Sequence, residues 1–227
     1  MSTQLSLATS ILVDHAGEIN NFKNAKVVLG PGSQSGCGPG YPTDPESFFL
    51  ASSFVPLNGH ILELPEPSSS DEAAKDWKQL GWWDKAWDFF GDGSLWLLNA
   101  EGHMPGHIMG LARTGKSEFV VCGGDCCHDR LLFTQAEKYT TSTFDGPGGN
   151  PGMHMNVPMA RTMIQKLSKL NEYSDVLPIV AHDYALEGLL PIVPKPLNGW
   201  STTQVKTEIE KREKELEALE VKSLCGC

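Results

Sequence analysis

Apolar residues in this chain come in short runs, and glycine, proline and aspartate bound nearly all of them. Six runs read as β-strands: "KVVL" (26–29), "HILEL" (60–64), "SLWLL" (94–98), "IMGLAR" (108–113), "EFVVC" (118–122) and "PIVA" (178–181). Short stretches rich in apolar and β-branched residues, set between turn formers, are the pattern of buried or half-buried strands. "TGKS" (114–117) places a glycine between two such runs, which predicts a hairpin. Asp92-Gly93 reads as a turn into "SLWLL".

Helical spacing is rarer. Residues 157–171, "VPMARTMIQKLSKLN", put Met159, Met163, Ile164, Leu167 and Leu170 on one face. Residues 203–222 read as a charged helix with Val205, Ile209, Leu216 and Leu219 near heptad spacing. Two heptads do not make a coiled coil, so this helix is expected to dock on the body of the protein. The stretch 67–90, "PSSSDEAAKDWKQLGWWDKAWDFF", reads as one or two short helices whose four tryptophans anchor packing. Glycine- and proline-rich segments at 30–47 and 145–155 are loops, where sites tend to sit. Strands mixed with helices and frequent turns predict α/β or α+β layers.

A length of 227 residues suits one domain with a small appendage, here 1–201 followed by a charged helix and tail over 202–227. With 40% hydrophobic and 20% charged residues the chain is not a disordered one. A formal charge of −10 argues against nucleic acid or an anionic membrane as partner. No apolar stretch reaches the ~20 residues that cross a bilayer, and the N-terminus lacks a signal-peptide pattern. A cytoplasmic location is therefore expected. Six cysteines, two of them adjacent at Cys126-Cys127, do not form a disulfide framework. The terminal Cys225-Gly226-Cys227 is no CaaX box, because Leu224 stands fourth from the end.

Four places offer chemistry. "NAEGHMPGHIMGLAR" (99–113) holds His103 and His107 in a glycine-punctuated loop between two strands. "VVCGGDCCHD" (120–129) ends an apolar strand in two glycines and Asp125, a carboxylate for which a cation is the simplest partner. "LPIVAHDYALEG" (177–188) repeats that layout with His182 and Asp183. Near the start, "SILVDHAGEINNF" (10–22) carries Asp14 and His15 ahead of a glycine. One strand-end histidine alone is more often a hydrogen-bonded structural residue. The four together, in this order, make a mixed nitrogen and oxygen shell suited to zinc, manganese or iron.

The motifs "DHAGEINNFKNAKVVLGPG", "GDGSLWLLNAEGHMPGHIMGLART", "CGGDCCHD" and "IVAHDYALEG" resemble the metallo-β-lactamase superfamily, in particular its lactonase-like hydrolases and their fungal relatives. The resemblance runs from about residue 8 to residue 200. It implies an αβ/βα sandwich in which an H-x-H-x-D-H loop, a later histidine, a bridging aspartate and a final histidine hold two metals. The loop falls on Ser10-Ile11-Leu12-Val13-Asp14-His15; His103, Asp125 and His182 match the three later ligands. The implied metal ligands are thus Asp14, His15, His103, Asp125 and His182, for one or two Zn2+ ions, with Mn2+ or Fe2+ as substitutes.

Two departures stand out. Ser10 and Leu12 replace the two H-x-H imidazoles; leucine cannot coordinate and serine is a poor zinc ligand. One metal position is then damaged, while Asp14, His15, Asp125 and His182 complete the other. The family also carries a long stretch ahead of this loop, whereas nine residues precede Ser10 here. The chain is expected to be truncated at its N-terminus, with the N-terminal part of one sheet missing and its apolar surface favouring a homodimer.

The resemblance implies a hydrolase acting on the carbonyl of a small-molecule lactone, ester or thioester, impaired by the lost imidazoles. The alternatives are a non-catalytic metal-binding or interaction protein derived from the same fold, or a dimerising structural protein. Asp125 and His128 are the candidate catalytic residues. Bacterial lactonases of this family place at the position of His128 a tyrosine that steadies the carbonyl oxygen. An imidazole there could donate to a developing oxyanion, or it could simply be an outer histidine. By the same resemblance His107 orients its loop and does not ligate. His60 and His154 receive no role, and Cys126 and Cys127 read as packing residues.

Overall fold

In the computed structural model the described residues are 4–7, 25–36, 38–47, 49–53, 61–68, 70–137, 153–192 and 194–225, with backbone only for 4–7, 53 and 219–225. The apolar runs pair into two sheets. The smaller consists of β1 (Gln4–Leu7), β2 (Ala25–Leu29) and β3 (Ile61–Glu63), all parallel, with β2 central. The larger contains β4 (Trp77–Leu80), β5 (Trp83–Asp88), β6 (Leu95–Asn99), β7 (Ile108–Gly115), β8 (Glu118–Gly124) and β9 (Val176–Val180), side by side in chain order. From β4 to β8 it is an antiparallel meander, and β9 then joins β8 in parallel. All six runs expected to be strands are strands, and Gly115 pairs with Glu118 across the expected tight turn.

The tryptophan-rich stretch is where expectation and structure part. After a 3-10 turn at Glu72–Asp76, capped by the Asp71 carboxylate on Ala73 N, it forms the β4–β5 hairpin instead of helices. Trp77, Leu80, Trp83 and Trp87 lie three or four apart, as on a helix face. A register shift between Lys78 and Leu80 produces this spacing, because a bulge breaks the strict alternation of a strand. Gly81, with φ 57°, makes the turn.

The described residues also form α1 (Ser33–Gly36), α2 (Leu131–Thr134), α3 (Val157–Asn171) and α4 (Val205–Cys225). Asn156 caps α3 by accepting from Met159 N, and Pro158 sits in the first turn, where its missing N–H costs nothing. Ala160, Met163, Ile164 and Leu167 are its buried face; Met159, expected there, is 37% exposed.

Alternation along β7 and β8 gives the larger sheet two apolar faces. Met109, Leu111 and Val121 pack with Met163, Ile164 and Leu167 of α3 and with Leu131, Leu132 and Phe133 of α2. On the other face Leu97 and Ile108 meet Val28 of the smaller sheet, Leu64 and Trp77. Farther along that face Val120 and Leu177 are covered by Trp200 and by Ile209 of α4, so the charged helix docks on the body as its spacing suggested. None of the described helices is long and apolar enough to cross a membrane.

This topology gathers chemistry at one edge. Because β8 and β9 are parallel, their C-terminal ends emerge together, and Ala181 N donates to Gly124 O at 2.9 Å across them. β7 runs the other way, so the loop that precedes it reaches the same edge.

Candidate metal centre

Asp125 follows directly on β8. Gly124 has φ 52°, a left-handed conformation that turns the chain out of the strand and sets the carboxylate into the protein, 1% exposed. The β6–β7 loop is closed by Ala100 N donating to His107 O at 3.0 Å and by the 3.1 Å contact of His107 Nδ1 with Ala100 O. Since a carbonyl only accepts, that contact assigns the proton to Nδ1. His107 is fully buried and serves to hold the loop, as the family pattern implied.

His103 projects from the middle of this loop. Gly102 before it has φ 136°, and a Cβ there would lie 2.4 Å from Ala160 N, so only glycine lets α3 approach so closely. The chain entering α3 is laid along the loop by two backbone bonds, Met155 N to His103 O and Asn156 N to Gly102 O, both 2.8 Å. These bonds set His154 beside His103, and both are buried.

His182 lies just beyond β9 with φ 60°, in the left-handed region that a histidine seldom occupies. Its neighbour Asp183 is tied to Arg130, which also donates to Pro178 O at 2.8 Å and reaches Glu213 of α4 at 3.3 Å.

Three imidazoles face the Asp125 carboxylate. His103 Nε2 is 3.4 Å from Oδ2, while His128 Nε2 and His182 Nε2 are 3.6 and 3.7 Å from Oδ1. Charge-assisted hydrogen bonds are shorter, about 2.7–2.9 Å. Two ligands that each sit about 2.0–2.1 Å from a tetrahedral ion are separated by about 3.4 Å, and the observed spacings match that edge. On the buried side, one nitrogen from each of His103, His128 and His154 falls within 4.8 Å of the others. Imidazole nitrogens around a carboxylate are a donor set that zinc accepts, and the residues present therefore fit a divalent ion. Burial pushes the Cys126 thiol up to about 12 and the Cys127 thiol well above the usual thiol range.

The structure brings together His103, Asp125, His128 and His182 as the sequence suggested, from three separate segments. Asp14 and His15 of the same set lie outside the described residues, as do Ser10, Leu12 and His60. His154 was missed. Its one sequence signal was its place in a glycine-rich loop just ahead of the α3 cap. Exposure grades across the centre, from Asp125 at 1% to the His182 side chain at 41%.

No family model matches the chain. It is 31% identical over 224 residues to the metallo-hydrolase mfmC of Annulohypoxylon moriforme, covering 86% of this chain and 56% of that one. It is 30% identical over 221 residues to the gamma-lactamase FDB1 of Fusarium pseudograminearum, covering 82% and 51%. The fold matches B. thuringiensis AiiA with N-decanoyl-L-homoserine at its active site, with a TM-score of 0.57, 15% identity, and 84% and 60% of the two chains covered. AidC, a dizinc quorum-quenching lactonase, has the same fold at a TM-score of 0.50 and 13% identity, over 80% of this chain and 57% of its own. The chain shares its fold with these lactonases and is similar in sequence, over most of its own length, to fungal metallo-hydrolases and gamma-lactamases. The chain spans about half the length of the metallo-hydrolase and gamma-lactamase relatives.

Proposed function

We propose that this chain is a metal-dependent hydrolase acting on the carbonyl of a small-molecule lactone, ester or thioester in the cytoplasm. The observation that carries the reading is Asp125, a buried carboxylate with one oxygen toward His103 and the other toward His182 and His128. Such a carboxylate is suited to bridge two cations. Asp125 and His182 would hold one ion with Asp14 and His15, and His103 and Asp125 would contribute to a second. Zinc is the first choice, supported by the dizinc lactonase AidC among the fold neighbours, with Mn2+ or Fe2+ next. When bound, such an ion polarises a carbonyl and makes water a nucleophile near neutral pH.

The protein's own part is to position and to exclude water. Buried walls around Asp125 strengthen each charge interaction there. His128, between the buried and open sides, can donate to the carbonyl oxygen as negative charge develops on it, a contribution of about 10²–10³ in rate at comparable sites. The homoserine bound by AiiA and AidC suggests a lactone with an apolar acyl tail, and the gamma-lactamase relative a cyclic amide as the next substrate to try.

Ser10 and Leu12 withhold two imidazoles from the His103 position, and a position so depleted would lower turnover severely unless other side chains fill it. That loss also supports a second reading, a non-catalytic metal-binding protein on the same fold. Hydrolysis of a panel of lactones, esters, thioesters and γ-lactams by the zinc-loaded chain decides between them. Turnover abolished by a chelator and by Asp125→Asn is the expected result. Zinc-loaded protein inert toward the whole panel, or Asp125→Asn with full activity, would overturn the hydrolase reading.

A further inference from the structure

We propose that His128 and His154 take the place of the two imidazoles missing at positions 10 and 12, so that His103, His128, His154 and Asp125 form a rebuilt metal position. The inference rests on the metal-centre part of the proposed function and goes beyond it, because neither histidine belongs to the ligand set the family pattern supplies, and it gives His128 a ligand's role in place of that of oxyanion donor.

Geometry is the first support. The ring centroids of His103, His128 and His154 are 5.0, 5.1 and 5.5 Å apart, a near-equilateral triangle, and His128 is farther, 5.8 Å, from His182. Asp125 borders two of the rings, with Oδ2 3.4 Å from His103 Nε2 and Oδ1 3.6 Å from His128 Nε2. Three imidazole nitrogens beside a carboxylate are a donor set that zinc accepts, with neither Ser10 nor Leu12 required.

Each member is held by its own piece of backbone. Asp125 and His128 belong to one turn at the end of β8, three residues apart. His103 rides on the loop closed by Ala100 and His107. His154 is carried to it by the bonds of Met155 and Asn156, which exist only because Gly102 admits α3. Ligands set by backbone contacts are preorganised for an ion.

Charge is the second support. Packing alone would be served better by apolar side chains than by three imidazoles around a carboxylate that is 1% exposed. The nearest guanidinium in sequence, Arg130, is committed to Asp183, Glu213 and Pro178 O. One divalent ion among the three rings would neutralise the carboxylate and use each imidazole as a donor.

Zinc binding by the full chain tests this. Equilibrium dialysis with metal analysis should give about two ions per chain in the unsubstituted protein, as in two-metal sites generally. His128→Ala and His154→Ala should each lose one of them, His182→Ala should lose the other, and His154→Ala with His182→Ala should lose both. Cobalt(II) substitution should give the visible absorption of a four-coordinate ion, and His154→Ala should remove that component. Folded His128→Ala and His154→Ala proteins that keep the full metal content would overturn the proposal while leaving the His182 position, and the hydrolase reading, intact. A chain that binds no zinc at all would sink both. Should the alanine variants fail to fold, imidazole nitrogen NMR of the unsubstituted protein replaces them: zinc must shift the His128 and His154 resonances, and resonances unmoved at saturation refute the assignment.

Discussion

The Arg130 guanidinium and the Asp183 carboxylate meet at 2.8 Å with their side chains 4% and 2% exposed. Nε adds contacts of 3.0 and 3.2 Å to the same carboxylate, so the pair is two-pronged. It joins the turn after β8 to the turn after β9, and through Glu213 it fastens α4 to both. Because Asp183 is the neighbour of His182 and Arg130 is two residues from His128, this pair frames the metal centre without touching it.

Arg130→Ala is expected to cost about 3–5 kcal/mol, since it leaves Asp183 and part of Glu213 as uncompensated buried charge. Replacing both partners, Arg130→Met with Asp183→Leu, should recover much of that loss, because an apolar pair needs no desolvation repaid. Urea unfolding of the single and double variants reads both values.

Gly102→Ala should destabilise by about 1–3 kcal/mol, the scale of a residue forced into a conformation it disfavours, and more where α3 must shift. Its sharper consequence is local. As α3 moves away from the 100–107 loop, His154 leaves His103, so zinc affinity should fall further than the melting temperature suggests. Calorimetric zinc titration beside thermal melting separates the two.

At the far end of β8, Glu118 accepts from the Thr114 and Ser201 hydroxyls and from the Gly199 and Ser201 amides. Burial opposes its ionisation, but these hydrogen bonds outweigh burial and hold the carboxyl down at about 2, below the usual 4.5. A folded value below the unfolded one contributes stability that is complete above about pH 4.5 and is lost as pH falls toward 2. The stability gap between the unsubstituted protein and Glu118→Gln should therefore be widest above pH 4.5 and close in acid. A pH series of unfolding curves checks this, and a gap that widens on acidification would contradict it.

Ile209 anchors α4 in the cluster of Val120, Leu177, Leu186 and Trp200. Ile209→Ala should cost about 2–5 kcal/mol, as deletion of a buried branched side chain does. Limited proteolysis should then cut within α4 before the sheet is attacked.

Most of the sheet was legible because its strands are short apolar runs closed by turn formers, and α3 and α4 because their apolar spacing is helical. The β4–β5 hairpin was not, since its bulge spaces Trp77, Leu80, Trp83 and Trp87 as a helix would. At the centre, Asp125 and His182 declared themselves as polar residues ending apolar strands, and His103 by its glycine-flanked loop. His154 stayed hidden because its glycine-rich loop alone does not mark it as a ligand. Its place beside His103 comes from two backbone bonds across distant parts of the chain. A linear pattern does not encode such a meeting.

The conformation of His182 bears on how this edge of the sheet has been shaped. At φ 60° any residue with a Cβ is held against its preference, at a cost of about 1–2 kcal/mol that glycine escapes. His182→Gly should consequently melt no lower than the unsubstituted protein, and higher if the ring adds nothing to the apo fold, while its zinc binding declines. Thermal melting with and without zinc would show a protein more robust empty and less responsive when loaded. A stiff, awkwardly placed ring where a bare backbone would rest easily trades durability for a nitrogen set beside Asp125.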